Sequence, residues 1–164
     1  MIFQGFMKII KYLIQFIIIC VFYVIFKIIG VKLSSFLSGK LFEIIGPIFR
    51  SKKIINNNIK KAFPDYNSKE FEKIKSSMWN NYGRVFAEYL YMKNFRNGNL
   101  SKNISIEGED ILLNIKDQNQ KVVFISGHFS NFELMAMQID KIGIKIGAIY
   151  RPLNNIFLNK FMER

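Results

Sequence analysis

The sequence predicts an α/β protein: an amino-terminal membrane helix, then further helices and a partial mixed sheet, truncated at the carboxyl end. Three observations carry this reading. Residues 12–26 read YLIQFIIICVFYVIF, an almost unbroken apolar run. Residues 67–95 place apolar side chains at three- and four-residue steps. Residues 122–126 and 145–150 are short apolar runs of strand length, each followed by turn residues and a helical pattern. The 164 residues leave room for one modest domain plus an anchor. The division expected is a membrane anchor over 1–31, an interfacial, basic helical segment over 32–66, and an incomplete α/β domain over 67–164.

Gln15 is the only strongly polar side chain in the apolar run, with Lys8 and Lys11 before it and Lys27 after it. The run spans about 22 Å as a helix, and extending it to Val31 reaches ~30 Å, the thickness of the hydrocarbon core. Lys27 then snorkels toward the headgroups. No small-residue cleavage site follows, which argues against a signal peptide. A fully buried core helix is the second rival for so unbroken an apolar surface, and the membrane span is the reading preferred. Lys27, Lys32, Lys40, Arg50, Lys52 and Lys53 outnumber the cations on the amino-terminal side, so the positive-inside tendency keeps the carboxyl-terminal side in the cytoplasm. Residues 41–49 (LFEIIGPIF) are too short to span and suit an interfacial or re-entrant piece.

Composition narrows the partners. The chain carries 24 Lys plus Arg against 12 Asp plus Glu, a formal net charge of +12. Such an excess points to an anionic partner, and the long apolar segment selects a membrane over nucleic acid. No nucleic acid is expected, because the aromatics are not interleaved with the cations in a binding motif. Cys20 is the only cysteine, which excludes an intrachain disulfide and a Cys-based zinc site.

Arg50, Lys52, Lys53, Lys60 and Lys61 crowd around SKKIINNNIKKAFP, where they fit either an anionic leaflet or a solvated helix face. Pro64 stops that helix. Asn67 followed by Glu70 forms a capping box for the next helix. Its apolar face is Phe71, Ile74, Met78, Tyr82, Phe86 and Leu90, with Trp79 beside it as core or membrane-interface packing. Lys93 and Arg96 are expected to be solvated near that helix's end.

The chemistry gathers between 121 and 164. Residues 122–126 (VVFIS) form the expected strand, Gly127 breaks it, and His128, Phe129 and Ser130 make a turn. Asn131 can cap a helix running from Phe132 to about Ile142. The second strand, KIGAIY, leads through Arg151 and Pro152 to a last helix capped by Asn154 or Asn155. His128 is the only histidine, and Glu133 lies five residues on. A loop at a helix start can fold the imidazole back onto that carboxylate: one ring nitrogen takes a proton from a hydroxyl while the carboxylate steadies the other. The helix amino terminus offers N–H groups to a developing oxyanion. Spacing alone equally fits a histidine packed at a helix start with a carboxylate as its structural partner. One His and one Glu do not make a metal site.

The stretch from Ser126 to Glu133 (SGHFSNFE) resembles the catalytic motif of the bacterial lipid A biosynthesis acyltransferases, the lauroyl and myristoyl transferases: a strand, a small residue and Gly, His, four residues, then Glu or Asp. Tyr150-Arg151-Pro152-Leu153-Asn154-Asn155 resembles that family's second signature. Asn58-Ile59, Ala62-Phe63-Pro64, and Gly83-Arg84 with Glu88 are similar to its upstream region. The resemblance implies a glycerolipid-acyltransferase-like fold in the inner membrane, with its catalytic part facing the cytoplasm. It implies transfer of a fatty acyl chain from an acyl carrier protein thioester to a hydroxyl of a phosphorylated, anionic glycolipid in lipopolysaccharide synthesis. His128 is then the general base and Glu133 its orienting partner, with Arg151 and Asn131 binding substrate and no other cofactor. No Gly-x-Ser-x-Gly elbow is present, so direct transfer is expected, without an acyl-enzyme. Family members continue past Arg164 with further strands and another arginine-containing segment, so a truncated product or partial sequence is expected. The alternative is a non-catalytic, membrane-anchored basic module that binds anionic lipid, an inactive fragment of an acyltransferase.

Overall fold

The computed structural model describes residues 2–149 and 151–162, with side chains over 5–149 and 151–160. Tyr150, which closes the second expected strand, and Arg164 lie outside the described residues. Eight α-helices and one 3-10 turn make up the described secondary structure: α1 (Ile2–Ile29), α2 (Val31–Phe49), α3 (Lys52–Ala62), α4 (Ser68–Tyr89), α5 (Met92–Asn97), the 3-10 turn (Ser101–Asn103), α6 (Glu109–Asp117), α7 (Glu133–Ile142) and α8 (Ile156–Met162). They fall into two compact units, one of Met1–Ile28 with Gly147–Arg164, the other of Ile29–Ile146.

The first unit is built on the apolar run. Within α1, Gly5–Ile29 is a 25-residue stretch long and apolar enough to cross a membrane, about 37 Å at 1.5 Å per residue. Its side chains are largely unburied, as lipid contact requires. Lys27 Nζ lies 5.7 Å from the centre of the Tyr23 ring, so its stem runs back along the helix. Gln15 finds a partner in the same unit. Asn155 donates from Nδ2 to Gln15 Oε1 at 3.2 Å and to the Tyr12 carbonyl at 3.0 Å. Its Oδ1 accepts from the backbone N–H groups of Phe157 and Leu158, capping α8 as its residue type predicts. Phe157 packs on Phe16 with ring centroids 6.0 Å apart.

The second unit turns on the antiparallel pair α2 and α4. Small residues line their contact: Ser34, Ser35, Ser38, Gly39 and Gly46 on α2 are buried, as are Gly83 and Ala87 on α4. At Gly83 the backbones approach so closely that a Cβ would stand 2.2 Å from the Ser38 carbonyl oxygen. α3 adds Ile55 and Ile59, which close a core over Trp79 with Phe71, Ile74 and Met78 of α4 packed against it. Trp79 is thus core, as expected, while Tyr82 on the expected apolar face is 57% exposed. Residues 41–49 continue α2 through Pro47 rather than forming a separate piece.

The predicted start of α4 is borne out in detail. Asn67 Oδ1 accepts from the N–H groups of Lys69 and Glu70 at 2.9 and 3.1 Å, and Glu70 Oε2 accepts from the Asn67 N–H at 2.9 Å. Asn67→Ala is expected to cost about 1 kcal/mol of stability, read as a lower denaturant midpoint with an unchanged m-value.

The α/β expectation is corrected. The described residues hold no strand, so the partial mixed sheet of a glycerolipid-acyltransferase-like fold is not present among them. Residues 121–129 and 144–149 are neither helix nor strand. A strand exists only where a neighbouring backbone answers its N–H and C=O groups. No such neighbour bonds residues 121–126 among the described residues. An apolar run of this kind is read as a strand buried on both faces, yet Val123 is 87% and Ile125 93% exposed.

Candidate active site

His128 and Glu133 both lie in the second unit, at the entry to α7. A Cβ at Gly127 would stand 2.5 Å from the Phe129 ring, an exposed side chain free to swing away. The Phe129 N–H donates to the Gly127 carbonyl at 2.9 Å. Ser130 follows at φ +46°, a left-handed conformation that non-glycine residues adopt sparingly. His128 is exposed, and its ring meets Phe132 edge-on with centroids 4.2 Å apart. Glu133 is half-buried as the first residue of α7. No hydrogen bond joins His128 to Glu133 among the described residues, so the structure brings the pair to one turn without closing the contact between them.

Asn131 does not cap α7. The cap position falls on Phe132, no side chain accepts from the first turn, and the helix starts at Glu133. The Asn131 side chain instead donates from Nδ2 to Glu88 Oε2 at 3.2 Å. Arg151 lies in the other unit, exposed, in the segment that leads to the Asn155 cap.

A polar chain runs from this turn along the α2/α4 contact. Glu88 Oε1 accepts from Ser35 Oγ at 2.8 Å, and Arg84 donates from Nη1 to Ser35 Oγ at 3.4 Å. Arg84 Nε donates to Asn80 Oδ1, and Asn80 Nδ2 donates to Glu43 Oε1, each at 2.6 Å. Lys40 Nζ closes the chain on Glu43 Oε2 at 3.0 Å. The hydrogen bond from Lys40 holds the Glu43 carboxyl below its ordinary value of 4.5, against desolvation that pushes it up; Asn80 and the charges of Lys40 and Arg84 add to the lowering. A carboxylate depressed on folding contributes stability above its unfolded pKa and loses it as pH falls through the folded value. Acid titration of thermal stability is therefore expected to fall more steeply below pH 4.5 in the native chain than in Glu43→Gln.

Sequence spacing does not reveal this chain, whose directly bonded members lie up to 53 residues apart. Arg96, expected to be solvated, instead pairs with Asp140 of α7 at 2.6 Å while both stay partly exposed.

The family model described as bacterial lipid A biosynthesis acyltransferase matches residues 1–164, the whole chain. The chain belongs to the bacterial lipid A biosynthesis acyltransferase family. Membership makes acyl transfer in lipid A synthesis its general activity class, in accord with the resemblance of the 126–133 and 150–155 segments. No curated protein and no solved structure matches the chain. A lipid A acyltransferase handles acyl chains and a lipid acceptor, and the long, unburied apolar helix α1 accords with membrane anchoring.

Proposed function

We propose that the chain transfers a fatty acyl group from an acyl carrier protein thioester to a hydroxyl of a phosphorylated lipid A precursor at the cytoplasmic face of the inner membrane. Family membership over the whole chain is the observation that carries this reading, and the exposed imidazole at the entry to α7 supplies its chemistry. His128 removes the proton of the acceptor hydroxyl as that oxygen attacks the thioester carbonyl. The tetrahedral intermediate collapses, the C–S bond breaks, and the carrier's thiolate takes the proton back from the imidazolium. Glu133 orients the ring once substrate draws it in, since hydrogen bonds of this kind tighten in the reactive complex. At the start of α7 the Leu134 and Met135 N–H groups are taken by the Asn131 and Phe132 carbonyls, and the Glu133 N–H is the one that faces the developing oxyanion in this proposal. Arg151 binds a phosphate of the acceptor, and Asn131 contributes to the substrate-binding wall.

The acyl chain has a place beside α7. An apolar hollow of about 630 Å³ is lined by Ile104, Ile106, Ile111, Phe124, Leu134 and Ile139 among others, within the size range of small-molecule sites. The test is donor and acceptor dependence in membranes containing the chain. Acylated product is expected from the carrier thioester with phosphorylated acceptor, and much less with a dephosphorylated acceptor. Equal product from free fatty acid would contradict the proposal. The rival reading, a non-catalytic basic module on anionic lipid, draws on the open His128–Glu133 geometry and the net charge of +12.

A further inference from the structure

Glu88 is placed as no solvated helix carboxylate would be. It is half-buried on α4, and its two oxygens serve two different elements. Oε1 accepts from Ser35 Oγ of α2, a residue only 5% exposed. Oε2 accepts from Asn131 Nδ2, in the turn between His128 and Glu133. We propose that Glu88 is a positioning residue for the acyl-transfer site, fixing the His128–Glu133 turn against the α2/α4 pair. This rests on reading that turn as catalytic.

The turn needs such a tether. The segment before it is exposed and makes no ladder, Phe129 is 84% exposed, and Ser130 sits at φ +46°. The Asn131 side chain is also diverted from the capping role its type favours, leaving α7 uncapped. Its Oδ1 is buried with no partner among the described residues, so the bond to Glu88 is what orients the amide. Flipping that amide would set a carbonyl against a carboxylate. Glu88 is in turn held by Ser35, which Arg84 steadies from the same face of α4.

The chemistry at Glu88 favours a carboxylate. Both neighbours present donors, a hydroxyl and an amide N–H, and a carboxylate accepts from both. A glutamine there keeps one acceptor for two donors: its amide N–H either opposes the Asn131 N–H or turns to Ser35, whose hydroxyl must then accept and place its proton elsewhere. Moving the charge across the contact removes the conflict. Glu88→Gln combined with Asn131→Asp lets the new amide accept from Ser35 and donate to the new carboxylate.

The experiment measures amide hydrogen exchange of the full chain in lipid nanodiscs together with steady-state acyl transfer. Glu88→Gln is expected to speed exchange at the bonded amides of the turn, Phe129, Leu134 and Met135, by about tenfold or more, the worth of one hydrogen bond to a charged group, with α2 and α4 little changed. It is expected to lower kcat by ~10–100-fold with a smaller change in KM, as misplacement of a reacting group by about 1 Å does. The double exchange is expected to recover the amide protection, which reads the tether independently of activity. Unchanged exchange at Phe129, Leu134 and Met135 in Glu88→Gln, or failure of the double exchange to recover it, overturns the tether. Full activity in His128→Ala with the exchange coupling intact instead overturns the catalytic reading alone.

Discussion

Replacing His128 by Ala is expected to lower acyl transfer by about 10²–10⁴-fold, with the KM for glycolipid little altered. The imidazole is the only one in the chain and stands exposed in the motif turn, edge-on to the Phe132 ring. Removing it leaves Glu133, a carboxylate, as the remaining titratable side chain of the turn. The substitution removes no core packing, so its effect on folding is expected to be small. Glu133→Gln is expected to be milder, since it keeps the shape of the orienting group and removes only its charge. Initial rates in membranes containing equal amounts of each variant check this. A His128→Ala rate equal to the parent would show that the turn carries no base.

The largest expected effect on stability lies elsewhere, at Gly83. A Cβ there meets the Ser38 carbonyl oxygen at 2.2 Å, the Ser38 carbonyl carbon at 2.7 Å and Gly39 Cα at 2.9 Å. All three are backbone atoms, so no side-chain rotation relieves the clash and the two helices must separate. Gly83→Ala is expected to cost about 3 kcal/mol, the upper range for overpacking, despite the gain in helix propensity. Gly83→Leu is expected to prevent the α2/α4 pair from forming. The polar chain from Glu43 to Asn131 crosses the same contact, so activity is expected to fall with stability. Gly5→Ala is the matching control, because nothing lies within 4 Å of its Cβ. Thermal melts of the three variants check the order expected: Gly5→Ala at or above the parent, Gly83→Ala well below it, and Gly83→Leu without a cooperative transition.

The parts of this molecule that could be read from sequence are those with local causes. The apolar run of α1 declares itself by composition, and α4 by a capping box whose members lie three residues apart. Pro64 ends α3 through a clash with its own predecessor. The expected strands failed for the opposite reason. Apolar, β-branched composition over 122–126 is a local signal, whereas a ladder needs a second backbone that the described residues do not offer. The motif turn was legible as a pattern of residue types; His128, Asn131 and Glu133 share that turn by sequence proximity, with no hydrogen bond between His128 and Glu133 among the described residues. Its support was not legible, because Ser35, Glu88 and Asn131 meet across the α2/α4 pair from positions 43 and 53 residues apart. A signal for that pair was present. Ser34, Ser35, Ser38 and Gly39 against Gly83 and Ala87 form the small-residue spacing that lets helices approach closely.

The central claim is acyl transfer dependent on His128. Its most direct test uses membranes containing the chain or His128→Ala, supplied with radiolabelled acyl carrier protein thioester and phosphorylated lipid A precursor. Binding to anionic vesicles is measured on the same preparations. Label entering the glycolipid with the native chain and lost with His128→Ala, while vesicle binding stays equal, is the result expected. No label with either chain, and equal vesicle binding, would contradict the enzyme and leave a basic lipid-binding module.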